Sequence, residues 1–159
     1  MKVSVIGTGY VGLVSGSCLA NLGLEVVCAD VDEAKIKVLQ DGGIPIYEPG
    51  LEEVVHRNVH AGRLRFTTDV GAATRGAEVV FLAVGTPPLP DGSADMRFVF
   101  DAVRTFSENH AGYQVIVTKS TVPAGTGARI EEILLAKHPK DSFSVVSNPE
   151  FLREGSAVS

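Results

Sequence analysis

Short apolar runs alternate along this chain with longer segments of mixed character. Lys2–Gly7 reads as a buried strand, and so do Glu25–Asp30, Leu64–Thr67, Glu78–Val84, Gln114–Thr118 and Ser142–Ser147. Between them, helical spacing covers Tyr10–Leu22, Asp32–Gln40, Leu51–His60, Asp69–Thr74, Met96–His110 and the stretch from Pro123 to Lys137. Asp41–Gly50, with two prolines, and Gly85–Asp95 read as irregular. Strands of unbroken apolar character are covered on both faces, and strands alternating with helices imply βαβ units. The expected fold is α/β: a doubly wound, mostly parallel sheet of about six strands, Rossmann-like.

Composition narrows this only slightly. A chain of 159 residues suits one domain, and at that size about 70% of the unfolded surface is buried without the help of disulfides. The formal charge of -5 speaks against a nucleic-acid partner, which needs basic surface. Cys18 and Cys28 fall in apolar stretches and read as small core residues. No apolar run is long enough to cross a membrane and no leader pattern opens the chain, so a cytoplasmic protein is expected.

Gly7-Thr8-Gly9-Tyr10-Val11-Gly12 is the densest chemical signal. Its GxGxxG pattern follows the first strand and opens the first helix, the setting that gives it meaning. Gly7 permits the tight turn, Gly9 lets a pyrophosphate approach the backbone, and Gly12 brings helix and sheet together. Asp30 ends the second strand 18 residues after Gly12, where a carboxylate accepts from the adenosine ribose and repels a 2′-phosphate. NAD is therefore expected over NADP, with Lys35 placed to soften the preference.

Four more segments go beyond a generic dinucleotide fold: Ile44-Pro45-Ile46-Tyr47-Glu48-Pro49-Gly50-Leu51, Val84-Gly85-Thr86-Pro87, Lys119-Ser120-Thr121-Val122-Pro123 and Asn148-Pro149-Glu150-Phe151-Leu152-Arg153-Glu154-Gly155. With GTGYVG they resemble the UDP-glucose/GDP-mannose dehydrogenase family over the whole chain. The resemblance implies oxidation of a sugar C6 alcohol to a carboxylate with two NAD, in polysaccharide biosynthesis. It implies cofactor contacts from Val11, Asp30, Lys35, Thr86, Thr121 and Glu154, which join Gly7, Gly9, Tyr10, Gly12 and Ser120 as the cofactor set. It implies that Glu150, Phe151, Leu152, Arg153 and Glu154 hold the sugar nucleotide, that Glu150 is the catalytic acid/base and that Thr121 helps hold the active-site water. Glu150 and Glu154, four apart, would share a face if the segment were helical.

Residues 1–159 are read as the NAD-binding domain alone. The family's central helix, which carries its dimer contact, and its sugar-binding domain with a nucleophilic cysteine that forms a thiohemiacetal are expected beyond this chain, since neither Cys18 nor Cys28 matches that position. Such a chain would bind NAD without turnover, as a monomer or weak dimer, while the whole enzyme is a homodimer. UDP-glucose is the favoured substrate; GDP-mannose and a UDP-N-acetylhexosamine remain open, as does a non-catalytic NAD-binding module. A hydroxyacid dehydrogenase would share the first glycine turn but not the Thr121 and Glu150 motifs. His56 and His60 have zinc-like i, i+4 spacing but lack the HExxH glutamate, so no metal is expected.

Overall fold

The computed structural model describes residues 1–158. The strands are β1 (Lys2–Ile6), β2 (Glu25–Ala29), β3 (Leu64–Thr67), β4 (Val79–Leu82), β5 (Gln114–Thr118) and β6 (Phe143–Ser147). The helices are α1 (Tyr10–Asn21), α2 (Glu33–Gln40), α3 (Leu51–His60), α4 (Val70–Thr74), α5 (Arg97–Asn109) and α6 (Thr126–Leu135). The strands form one sheet in the order β3-β2-β1-β4-β5-β6. Every pairing is parallel, so the expected "mostly parallel" sheet is wholly so.

Alternation along each strand builds two cores. Val3 and Val5 of β1 and Val26 and Cys28 of β2 face one side, with Leu13 and Val14 of α1, Ile36 and Leu39 of α2 and Leu51 and Val55 of α3. Ile6, Ala29, Val80, Leu82 and Ile116 face the other, against Val99, Val103 and Phe106 of α5 and Ile130 and Leu134 of α6. Helix α5 shows why: its buried Val99, Ala102, Val103 and Phe106 recur at i, i+3, i+4 and i+7, the stripe that faces a core. Helix α1 reaches closer to the sheet because Gly16 stands over Cys28, whose Sγ would lie 2.5 Å from an added Cβ.

Caps set the helix starts. Asp32 accepts from the Lys35 amide at the start of α2 and Asp69 from the Ala72 amide at the start of α4. Asp32 and Asp69 were expected inside those helices and instead cap them. The expected strand Glu78–Val84 is paired only over Val79–Leu82, and its last residues leave the sheet to line a cleft.

At the amino end of β5, Gln114 is 1% exposed. Its Nε2 donates to the carbonyls of Thr74 (3.0 Å) and Ala77 (2.6 Å). Its Oε1 accepts from the Ala111 amide (3.1 Å) and lies 2.8 Å from His110 Nδ1. One side chain thus joins the ends of α4 and α5 to the sheet, at the pole away from the glycine turn.

Candidate functional site

Chain order reverses between β1 and β4, the two strands at the middle of the sheet. In an open parallel sheet, ligands bind beyond the carboxyl ends of the strands at such a reversal. β1 ends there at Ile6, and Gly7 turns the chain with φ +101°. A Cβ on Gly7 would meet the Ala83 carbonyl oxygen at 2.5 Å, and one on Gly12 would meet the Gly7 carbonyl oxygen at 1.9 Å. Both glycines therefore hold backbone against backbone. Gly9 differs, because an added Cβ would find no atom within 4 Å. That side of the turn opens onto the cleft. Gly9 also caps α1 without any side-chain acceptor. The first-turn amides that a helix cannot bond internally are left facing the space where an anion would sit. The turn fits a dinucleotide's pyrophosphate.

Asp30, just past β2, lies beside this turn with its side chain 12% exposed. Its Oδ2 accepts from the Thr8 amide at 2.7 Å, the Thr8 hydroxyl at 2.9 Å and Lys35 Nζ at 3.2 Å. Its Oδ1 accepts from the Asp32 amide at 3.1 Å and keeps acceptor capacity to spare. Burial works to raise the Asp30 pKa, but the Thr8 and Asp32 donors and the Lys35 charge outweigh it and hold the carboxyl below its ordinary value. Lys35 is thus tied to Asp30 as its counter-ion.

The cleft that begins at this turn has a volume of about 990 Å³, at the upper end of the size range for ligand and cofactor pockets. Gly7, Gly9, Tyr10, Val11, Asp30, Lys35, Thr86, Ser120, Thr121 and Glu150 all line it. Five sequence segments from separate strand ends are therefore brought to one place. Gly12 acts from behind, by allowing the close approach already described. The Thr86 hydroxyl donates to the Thr121 carbonyl at 3.0 Å, and the Ser120 hydroxyl donates to the Val84 carbonyl at 2.6 Å. These bonds lock the loops after β4 and β5 to each other. Phe98, Asp101 and Thr105 of α5 form a further wall; sequence reading missed them, because Asp101 and Thr105 have the polarity of a solvated surface and a single exposed aromatic such as Phe98 is ordinary there.

The segment after β6 departs from expectation. Residues 148–158 form neither helix nor strand, so Glu150 and Glu154 share no helical face. Glu150 Oε2 instead accepts from the Leu152 amide at 2.8 Å in a local turn, and the residue lines the cleft. Phe151 is 91% exposed. Arg153 and Glu154 are exposed as well, and Leu152 packs against the α1–α3 core. None of these four residues lines the cleft as it stands.

Glu48 stands in Tyr47-Glu48-Pro49, a segment whose sequence fits either a plain turn or a part of the site, and it is a carboxylate with three bonded donors. It is 5% exposed. Its Oε2 accepts from the Tyr10 hydroxyl at 2.6 Å and the Gly155 amide at 2.8 Å, and its Oε1 from the Ala157 amide at 2.7 Å. The Tyr10 hydroxyl, followed by the backbone amides, holds the Glu48 pKa below the usual carboxylate range against the effect of burial. Desolvation and the Glu48 hydrogen bond push the Tyr10 hydroxyl up to about 12. A carboxylate set among Ile44, Ile46 and two prolines was the available signal, since charge in apolar company is buried only when paired.

Cys28 is fully buried, and desolvation pushes its thiol up to about 12. Burial also raises Cys18, which is half-buried, and neither cysteine lines the cleft. His56 is exposed, with Nε2 2.7 Å from the Gly42 carbonyl, and His60 is exposed too. Among the described residues no group of histidine, cysteine and acidic side chains could hold a metal, and no helix is long and apolar enough to cross a membrane.

A glycine turn on β1, an acid after β2 and a cleft at the strand reversal define a dinucleotide-binding α/β domain. The chain belongs to the UDP-glucose/GDP-mannose dehydrogenase family, whose NAD binding domain matches residues 1–159. UDP-glucose 6-dehydrogenase TuaD of Bacillus subtilis is 54% identical over 158 residues, which is 99% of this chain and 34% of that protein. A UDP-glucose dehydrogenase from the archaeon Pyrobaculum islandicum superposes with a TM-score of 0.91 at 43% identity, covering 99% of this chain and 37% of that one. GDP-mannose dehydrogenase from Pseudomonas aeruginosa, solved as a ternary complex, gives 0.90 at 37% identity, covering 99% and 38%. The chain thus spans about a third of the length of these relatives.

Proposed function

We propose that this chain supplies the NAD-binding half of a nucleotide-sugar 6-dehydrogenase that converts UDP-glucose to UDP-glucuronate. The observation that carries the reading is that the open side of Gly9, Asp30, Thr121 and Glu150 all border one cleft. Amides of the Gly9–Gly12 turn hold the pyrophosphate and Asp30 Oδ1 accepts from the adenosine ribose. Thr86, Ser120 and Thr121 also border the cleft and would hold the nicotinamide end of the cofactor. NAD, when bound, accepts the hydride from C6. The alcohol proton goes to the Glu150 carboxylate or to a water held between Glu150 and Thr121, the acid/base task such a carboxylate serves. Phe151, Leu152, Arg153 and Glu154 turn to the sugar nucleotide from the edge, with Glu154 reaching the cofactor.

UDP-glucose is preferred because TuaD, named for that substrate, is 54% identical to this chain over the 158 residues they share. GDP-mannose or a UDP-N-acetylhexosamine is the second choice, on the strength of the Pseudomonas likeness. Neither Cys18 nor Cys28 lines this cleft, and on this reading the 159 residues alone bind NAD without turnover. The whole enzyme is a cytoplasmic homodimer, and this chain by itself is a monomer or weak dimer.

Calorimetric titration with NAD and then NADP tests the reading. Binding of NAD in preference to NADP, lost in Asp30→Ala, is the expected result. Failure to bind NAD, or equal binding of the two cofactors, would overturn it. Asp30→Ala also strips the buried Thr8 amide of its acceptor, so its fold is checked by thermal melting alongside.

A further inference from the structure

An irregular segment carries Glu150, and something must hold it in place. Residues 148–158 have no helix or strand to do so. At one end, the Asn148 amide donates to the Thr118 carbonyl at 3.0 Å and Lys119 Nζ to Asn148 Oδ1 at 3.3 Å. At the other end, the polar anchor is Glu48, through the Gly155 and Ala157 amides. Leu152, Ala157 and Val158 add apolar contacts to the α1–α3 core. Glu48 also holds Tyr10, the first residue of α1 and part of the cofactor turn.

We propose that Glu48 is a positioning residue: its buried carboxylate clamps residues 150–158 to the dinucleotide turn, and thereby sets Glu150 at the cleft. That the clamp serves catalysis rests on the function proposed above; that it fixes the segment does not. Each bond it makes is charge-assisted, the stronger kind of protein hydrogen bond. Oε2 takes both Tyr10 and Gly155 while Oε1 takes Ala157, so both oxygens must accept. A glutamine has the same shape but replaces one acceptor with a donor, and one donor of the set is left facing it. The clamp therefore needs a carboxylate, not merely a side chain of that volume. Tyr10→Phe tests the arrangement more gently, because it removes one donor and leaves the carboxylate on its two amides.

The experiment is amide hydrogen exchange on the full-length enzyme that contains this chain, as wild type, Glu48→Gln and Tyr10→Phe, joined to steady-state kinetics with NAD and UDP-glucose. The expected result for Glu48→Gln is exchange about 10- to 100-fold faster at Gly155 and Ala157, with the strands β1, β4 and β5 as protected as in wild type. In the kinetics, kcat/KM for the sugar nucleotide falls by a similar factor while KM for NAD moves less than about threefold. Tyr10→Phe gives the same faster exchange at Gly155 and Ala157 in smaller degree and keeps the fold even if Glu48→Gln does not; since Tyr10 borders the cleft, it is read by exchange alone. Unchanged exchange over residues 150–158 in both variants would overturn the clamp. Faster exchange there with unchanged kcat/KM in an active enzyme would overturn its part in catalysis. A protein without dehydrogenase activity in any form refutes the function above, while the exchange result still decides the clamp.

Discussion

Alanine at Gly9 separates binding from folding. The residue has φ -69° and ψ -170°, an extended conformation open to any L-amino acid, and the new methyl would meet no atom within 4 Å. Folding stability should therefore stay within about 0.5 kcal/mol of wild type. The methyl projects into the open side of the turn, where a pyrophosphate must approach the amides of α1. Carbon in contact holds its neighbour at about 3.5–4.0 Å, whereas an amide bonded to an anionic oxygen needs about 2.7–2.9 Å. The phosphate is displaced by about 1 Å and loses at least one hydrogen bond to a charged group, a loss of about 1.5–3 kcal/mol. At 1.4 kcal/mol per tenfold, the Kd for NAD should rise about 10- to 100-fold. Calorimetry reads the affinity and thermal melting the fold. Gly12→Ala is the control, since its Cβ would sit 1.9 Å from a backbone oxygen and must disturb the turn itself. Wild-type affinity in Gly9→Ala would mean that the pyrophosphate does not lie on this turn. A fall in Tm matching that of Gly12→Ala would mean that the open side is not open.

Two further outcomes follow from the cores. Gly16→Ala forces a methyl to 2.5 Å from the buried Cys28 Sγ and should cost about 1–3 kcal/mol by overpacking, while Gly16→Ala with Cys28→Ala should recover at least about 1 kcal/mol of that in urea unfolding. Burial, with the neighbouring His138 next, lowers the His110 pKa, so the unfolded chain takes up this proton before the folded one does. Stability from this group is complete above about pH 6.5 and is lost as pH falls through the lower folded-state value. Urea midpoints measured from pH 8 to pH 5 should show this loss and show less of it in His110→Gln; an equal loss in both would remove His110 as the cause.

The sheet was legible because both its faces are covered: unbroken runs such as Glu25–Asp30 can only be central strands. The glycine turn was legible because each glycine answers a local demand. Sequence spacing failed at Glu150 and Glu154. An i, i+4 interval means adjacency only inside a helix, and residues 148–158 form none. Glu48 was legible as a charge in apolar company, but its partners were not. Its partners Gly155 and Ala157 lie 107 and 109 residues away, and no local pattern reports a contact of that range. The α5 wall of the cleft was hidden because Asp101 and Thr105 carry the polarity of ordinary surface and a lone exposed Phe98 beside them signals nothing.

The Gln114 network makes one position in this domain a matter of valence, not size. Backbone carbonyls can only accept and a backbone amide can only donate, so Thr74, Ala77 and Ala111 dictate which end of the side-chain amide is oxygen. His110, facing that oxygen, must present a protonated Nδ1, and the amide thus selects the imidazole tautomer next to it. Glutamate would match the outline and oppose both carbonyls; methionine would fill the space and leave every partner orphaned. Two donors and two acceptor directions, in that order and at that depth, describe glutamine alone. The pole away from the glycine turn is in this sense the most strictly written part of the chain, while the pole that carries the cleft rests on loops held by a few side chains.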